Sequence, residues 1–298
     1  MTTANHSELL TSLPAELAER IGSRLNQPQF TGHFEQEEYQ EFLAQSGLTD
    51  TEFKLALLPL AAQRAYCAIS DFHVGAIVEG TSGKVYFGAN IEISDVQLNQ
   101  TVHAEQSAIS HAWMKGETGI KNITINYTPC GHCRQFMNEL NGVDDLSIQL
   151  PERPAFTLAQ LLPESFGPKD LGIEARLMDG KTQHYQFDHQ DTQPCLEAAL
   201  DAMNLSHAPY SQDHSGVALQ IQSGEIYAGS YAENAAFNPS LPPLQVAINL
   251  LLLAGKSLKD IQSAVLLEHS TASTSHLAET QSVLEAINPD ISLEYVSL

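Results

Sequence analysis

His103-Ala104-Glu105 and, further on, Thr128-Pro129-Cys130-Gly131-His132-Cys133 decide how this chain is read. Together they offer one imidazole, two thiols and a nearby carboxylate. A purely structural zinc site closes all four positions with protein ligands, whereas a catalytic one uses three and leaves the fourth for water. His103, Cys130 and Cys133 supply three. Glu105, two residues beyond His103, is close enough to reach the fourth position without binding the metal. Zinc lowers the pKa of a bound water from about 15.7 towards roughly 7, and one carboxylate can take that proton and pass it on. Two thiolates and a neutral imidazole leave the zinc centre with no net charge. A Cys-x-x-Cys pair at the start of a helix suits this chemistry, because the positive helix end favours thiolate. Alone, Cys-x-x-Cys also reads as a structural half-site or a redox pair, and His-x-Glu alone says nothing. The combination is specific. One zinc per chain is expected, held by His103, Cys130 and Cys133, with Glu105 free. His132 lies between the cysteines and is expected to stay outside the ligand set.

Composition narrows the class. A chain of 298 residues exceeds one typical domain, and its 43% hydrophobic content supports a true core. No apolar run reaches membrane-spanning length; the longest, from Val246 to Ala254, is interrupted by Asn249. Met1 to His6 has neither a basic start nor an apolar stretch, so no signal peptide is expected. Four cysteines, two of them proposed ligands, fit the reducing cytoplasm. Cys67 and Cys195 read as small buried hydrophobes. With 14 Lys and Arg against 36 Asp and Glu, the net charge is −22. That argues against a polyanionic substrate, because nucleic-acid binding rests on cations that neutralise phosphates.

Residues 1–48 read as a small helical unit. Leu17, Ile21 and Leu25 mark one helix, and Phe34 to Leu43 continue the apolar period into a second. Thr49 to Glu52 is a capping box that opens a third helix. Val74 to Val78 and Val85 to Phe87 form a hairpin across Gly80-Thr81-Ser82-Gly83. A helix from His103 to Met114, a strand from Ile123 to Tyr127, a helix from Cys130 to Leu140 and a strand from Leu146 to Leu150 follow. This is a three-layer α/β/α pattern over 49–150 with both halves of the metal site at helix N-termini. Residues 151–189 hold four prolines, at 151, 154, 163 and 168, and read as a linker.

From Pro194 the pattern recurs. Gly75 to Glu92 lies over Gly216 to Glu233 without a gap: Gly83 meets Gly224, Tyr86 meets Tyr227, Gly88 meets Gly229 and Glu92 meets Glu233. The domain is therefore duplicated over 190–298. The chemistry is not. The counterpart of His103-Ala104-Glu105 falls near Pro243-Leu244-Gln245, and no cysteine follows Cys195. The second copy is catalytically degenerate and is expected to serve packing.

These residues resemble the long, two-copy cytidine deaminases of bacteria, over essentially the whole chain. The zinc motif follows the H-x-E…P-C-x-x-C signature of zinc nucleobase deaminases. Phe72-His73-Val74-Gly75-Ala76 resembles the family's F-x-V-G-A, Asn90-Ile91-Glu92 its N-x-E nucleoside-binding strand, and Pro129-Cys130-Gly131-His132-Cys133-Arg134-Gln135 its P-C-G-x-C-R-Q. Leu161 to Pro168 resembles the linker of the long form, and His103 stands where the family's short, tetrameric members usually carry a third Cys. The resemblance implies that His103, Cys130 and Cys133 bind zinc and that Glu105 shuttles protons. It implies Phe72 packed on the pyrimidine, Asn90 and Glu92 on the ribose hydroxyls, and the backbones of Ala104 and Thr128 on the base edge. It also implies a homodimer in which Phe166 caps the partner's site. Phe72 also reads as plain core, Asn90 as a turn residue and Glu92 as a solvated strand-end carboxylate. His73 departs from the small polar residue more usual there.

The expected activity is hydrolytic deamination of cytidine and deoxycytidine to uridine and deoxyuridine plus ammonia, on a free nucleoside with no nucleic-acid or membrane partner. Two rivals remain at this point. A polynucleotide deaminase would share the zinc chemistry but not the acidic surface. A non-catalytic, zinc-stapled interaction protein would need a fourth ligand and would give Glu105 no role.

Overall fold

The computed structural model describes residues 6–187 and 193–298. The reading of Met1 to Asn5 and the expected boundary at 189/190 lie outside the described residues.

Local signals set most elements. Thr49 caps α3 (Asp50–Ala62): its N–H donates to Glu52 Oε2 at 2.8 Å and Glu52 N–H donates to Thr49 Oγ1 at 3.3 Å, the reciprocal pair a capping box predicts. Before it come α1 (Ala15–Leu25) and α2 (Gln36–Ser46). The expected start of the second helix at Phe34 is corrected. His33–Phe34 is a short strand, β1, paired antiparallel with β4. Its apolar residue continues the helical period by chance, and Phe34 is buried because it faces the N-terminal helices, against Phe30 and Phe42.

The first copy contains β2 (Tyr66–Cys67), β3 (Gly75–Gly80), β4 (Val85–Ala89), β5 (Ile91–Glu92), α4 (Ala104–Met114), β6 (Ile120–Ile125), α5 (Gly131–Met137) and β7 (Ser147–Gln149). The connector adds β8 (Phe156–Thr157) and the one-turn α6 (Leu158–Leu161). The main sheet runs β1-β4-β3-β6-β7-β8, and β2 pairs with β5 apart from it. Part of the expected linker thus belongs to the first sheet, because β8 pairs antiparallel with β7. β6 and β7 are parallel, joined through α5. The second copy contains α7 (Pro194–Leu205), β9 (Ser215–Ile221), β10 (Ile226–Ser230), α8 (Pro243–Leu253), β11 (Ile261–Glu268), α9 (Leu277–Ile287) and β12 (Ser292–Ser297), with sheet order β10-β9-β11-β12. There too the last two strands are parallel around a helix.

Side-chain alternation divides each sheet into two faces. In the first, Ile77, Val85 and Phe87 face α3 and the N-terminal helices, forming one core with Leu17, Ile21, Phe30 and Leu57. Ala76, Val78 and Tyr86 face α4. That second core is continuous with Val217, Leu219 and Leu251 of the second copy, so α4 and α8 lie between the two sheets. No helix among the described residues is long and apolar enough to cross a membrane.

Candidate active site

His103 is the residue just before α4, and Cys130 holds the same place before α5, both in extended backbone. The strand–loop–helix path thus delivers each ligand at a helix N-terminus. His103 Nδ1 lies 3.4 Å from Cys130 Sγ and 3.3 Å from Cys133 Sγ, and the two sulfurs are 3.7 Å apart. Zinc held tetrahedrally, about 2.3 Å from sulfur and about 2.0–2.1 Å from nitrogen, needs donors about 3.5–3.8 Å apart. The donors are already spaced for it. His103, Cys130 and Cys133 form a group that can hold a metal ion, and no second such group is present among the described residues.

The charges in this cluster fit a cation. Cys130 is pulled down to about 3, chiefly by hydrogen bonds from Cys133 and His103. Cys133 is pushed up by the same pairing and by burial, and His103 is raised by its contact with Cys130. The cluster holds protons that metal binding displaces. Glu105 is 5% exposed, and burial raises its carboxyl above the ordinary carboxylate range. His132 stacks on the His103 ring with centroids 5.2 Å apart and is outside the donor group.

A cavity of about 260 Å³ opens beside these donors. Phe72, Asn90, Glu92, Ala104, Glu105 and Thr128 line it together with His103 and Cys130, so eight of the expected site residues converge. Cys133 is buried behind Cys130. Phe166 is not among the lining residues. Its carbonyl accepts from Gln135 Nε2 and Asn138 Nδ2, both at 2.9 Å, while its side chain is largely exposed. Tyr127 lines the cavity and was missed by sequence reasoning; its ring lies 4.7 Å from that of Phe72. Its only sequence signal is its place directly before the Thr128-Pro129-Cys130 motif. A larger cleft, about 380 Å³, lies between the copies beside Trp113, Arg176 and His207, but away from the metal donors.

Glu92 and Asn90 already have protein partners. Glu92 Oε2 accepts from the N–H groups of Ile69 and Ser70 at 3.1 and 2.8 Å, and Oε1 accepts from Ser70 Oγ at 2.5 Å. Asn90 Oδ1 accepts from Val74 N–H at 2.9 Å, and its Nδ2 donates to the Phe72 carbonyl at 2.8 Å. Both therefore shape the strap that carries Phe72. A carboxylate has about four acceptor sites, and these bonds use three of them.

The second copy repeats this framework without the donors. A Cβ on Gly88 would lie 2.6 Å from the Ala104 carbonyl oxygen, and one on Gly229 would lie 2.4 Å from that of Pro243. Pro242, Pro243 and Leu244 therefore take the places of His103, Ala104 and Glu105. This moves the expected match at Pro243-Leu244-Gln245 by one residue, because the loop between strand and helix is shorter in the second copy. His276 precedes α9 as Cys130 precedes α5.

Residues 49–149 and 158–281 each match a family model described as the cytidine and deoxycytidylate deaminase zinc-binding region. The chain belongs to the cytidine and deoxycytidylate deaminase family, in its duplicated form. It is 55% identical over 295 residues to a cytidine deaminase of Vibrio cholerae, covering 98% of each chain. It is 56% identical over 289 residues to one of Vibrio vulnificus, covering 97% of each. A crystal structure of cytidine deaminase from Mycobacterium tuberculosis aligns with 40% of this chain and 99% of its own, at 30% identity and a TM-score of 0.37.

Proposed function

We infer that this chain deaminates cytidine and deoxycytidine hydrolytically, releasing uridine or deoxyuridine and ammonia. The observation that carries this is three zinc donors 3.3–3.7 Å apart beside the buried, uncoordinated carboxylate of Glu105, in a chain alike end to end to cytidine deaminases. When bound to His103, Cys130 and Cys133, zinc supplies Lewis-acid activation of water. Glu105 relays the two protons of the attacking water in turn, one to ring N3 and one to the departing amine. Phe72, with Tyr127 beside it, forms an aromatic wall for the pyrimidine. The backbones of Ala104 and Thr128 read the base edge. The free acceptor site of Glu92 and the Asn90 amide take ribose hydroxyls. A free nucleoside suits the −22 charge, which repels polynucleotides.

The working unit we propose is a homodimer, with Phe166 capping the partner's cavity. Phe166 and Phe237 are 48% and 63% exposed. Both sit on segments tied to Gln135, through the Phe166 carbonyl and through Asn234, and a second copy would cover them. We divide the chain into a helical unit (1–48), a catalytic domain (49–150), a connector (151–189) that lends β8 to the first sheet, and a degenerate domain (190–298). The cysteines are free thiols, which fits the cytoplasm. The decisive test compares cytidine with a single-stranded oligonucleotide in a spectrophotometric assay, with and without a chelator. Chelator-sensitive turnover of cytidine alone is expected. Preference for the oligonucleotide would overturn the nucleoside reading.

A further inference from the structure

The helix that carries the cysteine ligands is short. α5 has 7 residues, too few to hold its shape in water unaided. Its N-terminal end carries Cys130 and Cys133. Its far end is gripped by the second copy. Glu139, two residues past the helix, is 1% exposed. Its carboxylate accepts from Tyr210 Oη at 2.6 Å, from His207 Nε2 at 3.0 Å and from the Ala235 N–H at 2.9 Å. All three donors belong to the second copy. Beside them, Asn234 Nδ2 donates to the Gln135 carbonyl at 2.9 Å. A carboxylate at a helix C-terminus sits at the unfavourable pole of the helix dipole, and a buried acceptor stripped of donors is costly. The three donors are what make Glu139 tenable there.

The second copy aims these donors with the same device that shapes the cavity in the first. Glu233 accepts from the N–H groups of Tyr210 and Ser211 at 2.8 and 3.2 Å, as Glu92 accepts from those of Ile69 and Ser70. The two turns then pass through left-handed backbone at matching places, Gln212 with φ 60° and Asp71 with φ 54°. In the first copy this turn leads into Phe72 at the cavity. In the second it presents Tyr210 to Glu139. Glu233 thus holds the turn that places Tyr210 against Glu139.

We propose that Glu139 is a positioning residue for the metal centre: through Tyr210, His207 and Ala235, the degenerate copy fixes α5 and so the spacing of Cys130 and Cys133 from His103. This rests on the reading of those three residues as the metal donors.

The test uses the full-length holoprotein and the variants Glu139→Gln and Tyr210→Phe. Zinc release to a chromogenic chelator and the absorption spectrum of the cobalt-substituted protein are measured beside kcat and KM. Groups bonded directly to metal ligands commonly matter about 10–100-fold, which bounds from above the effect of Glu139, acting through α5. Release from the folded variants is expected to quicken within that range, with an altered cobalt–thiolate band and a fall in kcat larger than any change in KM. Leu284→Ala, in the core of the second copy on α9, controls for general loss of stability. It should lower the melting temperature yet leave zinc release from the folded protein unchanged. Should Glu139→Gln fail to fold, Tyr210→Phe, which keeps the ring, decides alone. Wild-type release rates and cobalt spectra in the folded variants would overturn the proposal, as would equal acceleration by Leu284→Ala. Failure of the unaltered chain to bind metal would instead overturn the donor assignment.

Discussion

Gly88 and Gly229 make the same contact in the two copies. A Cβ on Gly88 would lie 2.2 Å from the backbone nitrogen of Ala108 on α4, and one on Gly229 would lie 2.3 Å from that of Ala247 on α8. Each helix rests directly on its strand, so no side chain fits between them. Backbone cannot yield as a flexible side chain does. Gly88→Ala and Gly229→Ala should each destabilise the fold by about 1–3 kcal/mol or more, read from urea unfolding midpoints. Gly88→Ala should also lower activity, because α4 carries His103 and Glu105 at its start, whereas Gly229→Ala should act mainly on stability. A Gly229→Ala protein as stable as the parent would break the equivalence of the two packings.

Metal content tests the donor set directly. Elemental analysis should find one zinc per chain, and Cys133→Ala should lose it. Cys195→Ala should keep it, since Cys195 is buried against the second sheet, 3.6 Å from the Ala218 carbonyl. Two zinc ions per chain would show a site the second copy does not visibly contain.

Glu105→Gln keeps the shape of the side chain and removes proton transfer. It should still bind zinc and nucleoside while turnover falls at least about 10²–10⁴-fold. Binding is read by titration with cytidine and turnover by the loss of cytidine absorbance. Near-normal turnover would remove Glu105 from the reaction.

How much of this was legible in the chain depends on distance along it. The donors sit in two short motifs, and helix N-termini follow from the same residues, so His103, Cys130, Cys133 and Glu105 could be named together. The hairpin repeat was legible because its glycines recur at unchanged spacing: Gly75/Gly216 and Gly88/Gly229 leave no room for a Cβ, and Gly83/Gly224 turn through left-handed backbone. Other features were not. His33–Phe34 is too short a strand to show alternation, and Phe34 falls in phase with the helix after it. Tyr127 reaches the cavity only because β6 ends where it does. Glu139 meets Tyr210, His207 and Ala235 across the two copies, and no local pattern announces such a contact. Asn249 reads as a flaw in an apolar run. It is 1% exposed, and it bonds the Ser107 hydroxyl and carbonyl on α4 at 2.5 and 2.9 Å.

On the proposed site, Glu92→Gln should weaken cytidine far more than free cytosine, because its remaining acceptor site would take a ribose hydroxyl. Losing a charge-assisted hydrogen bond costs roughly 1.5–3 kcal/mol. The turn at Ile69 and Ser70 complicates that reading, since the same carboxylate holds it. Ser70→Ala separates the two effects: it loosens the turn, which should weaken nucleoside and base alike through Phe72, and leaves the carboxylate in place. Competition assays with cytidine and cytosine report both. Equal losses for the two ligands in Glu92→Gln would take Glu92 out of the ribose site and leave it holding the turn alone.

Removing the second copy should destroy the first, although every proposed ligand would remain. Truncation after residue 190 takes away α8, which packs on α4. It removes the Asn249 bonds to Ser107 and Ser110, and the Pro239 carbonyl that accepts from Gln106 Nε2 at 3.2 Å. It also strips Leu253 from the N-terminal core and all three donors from Glu139. The remainder would expose the face of α4 that carries Gln106, Ser107 and Ser110, stripped of their second-copy partners, beside newly uncovered apolar core, which invites aggregation. The truncated protein should be poorly soluble or inactive, measured as soluble yield and cytidine turnover. In light scattering the full chain should run as a dimer, the commonest closed assembly. A truncated chain that stayed soluble, monomeric and fully active would refute both the packing role of the second copy and the reach of Phe166 into a partner's site.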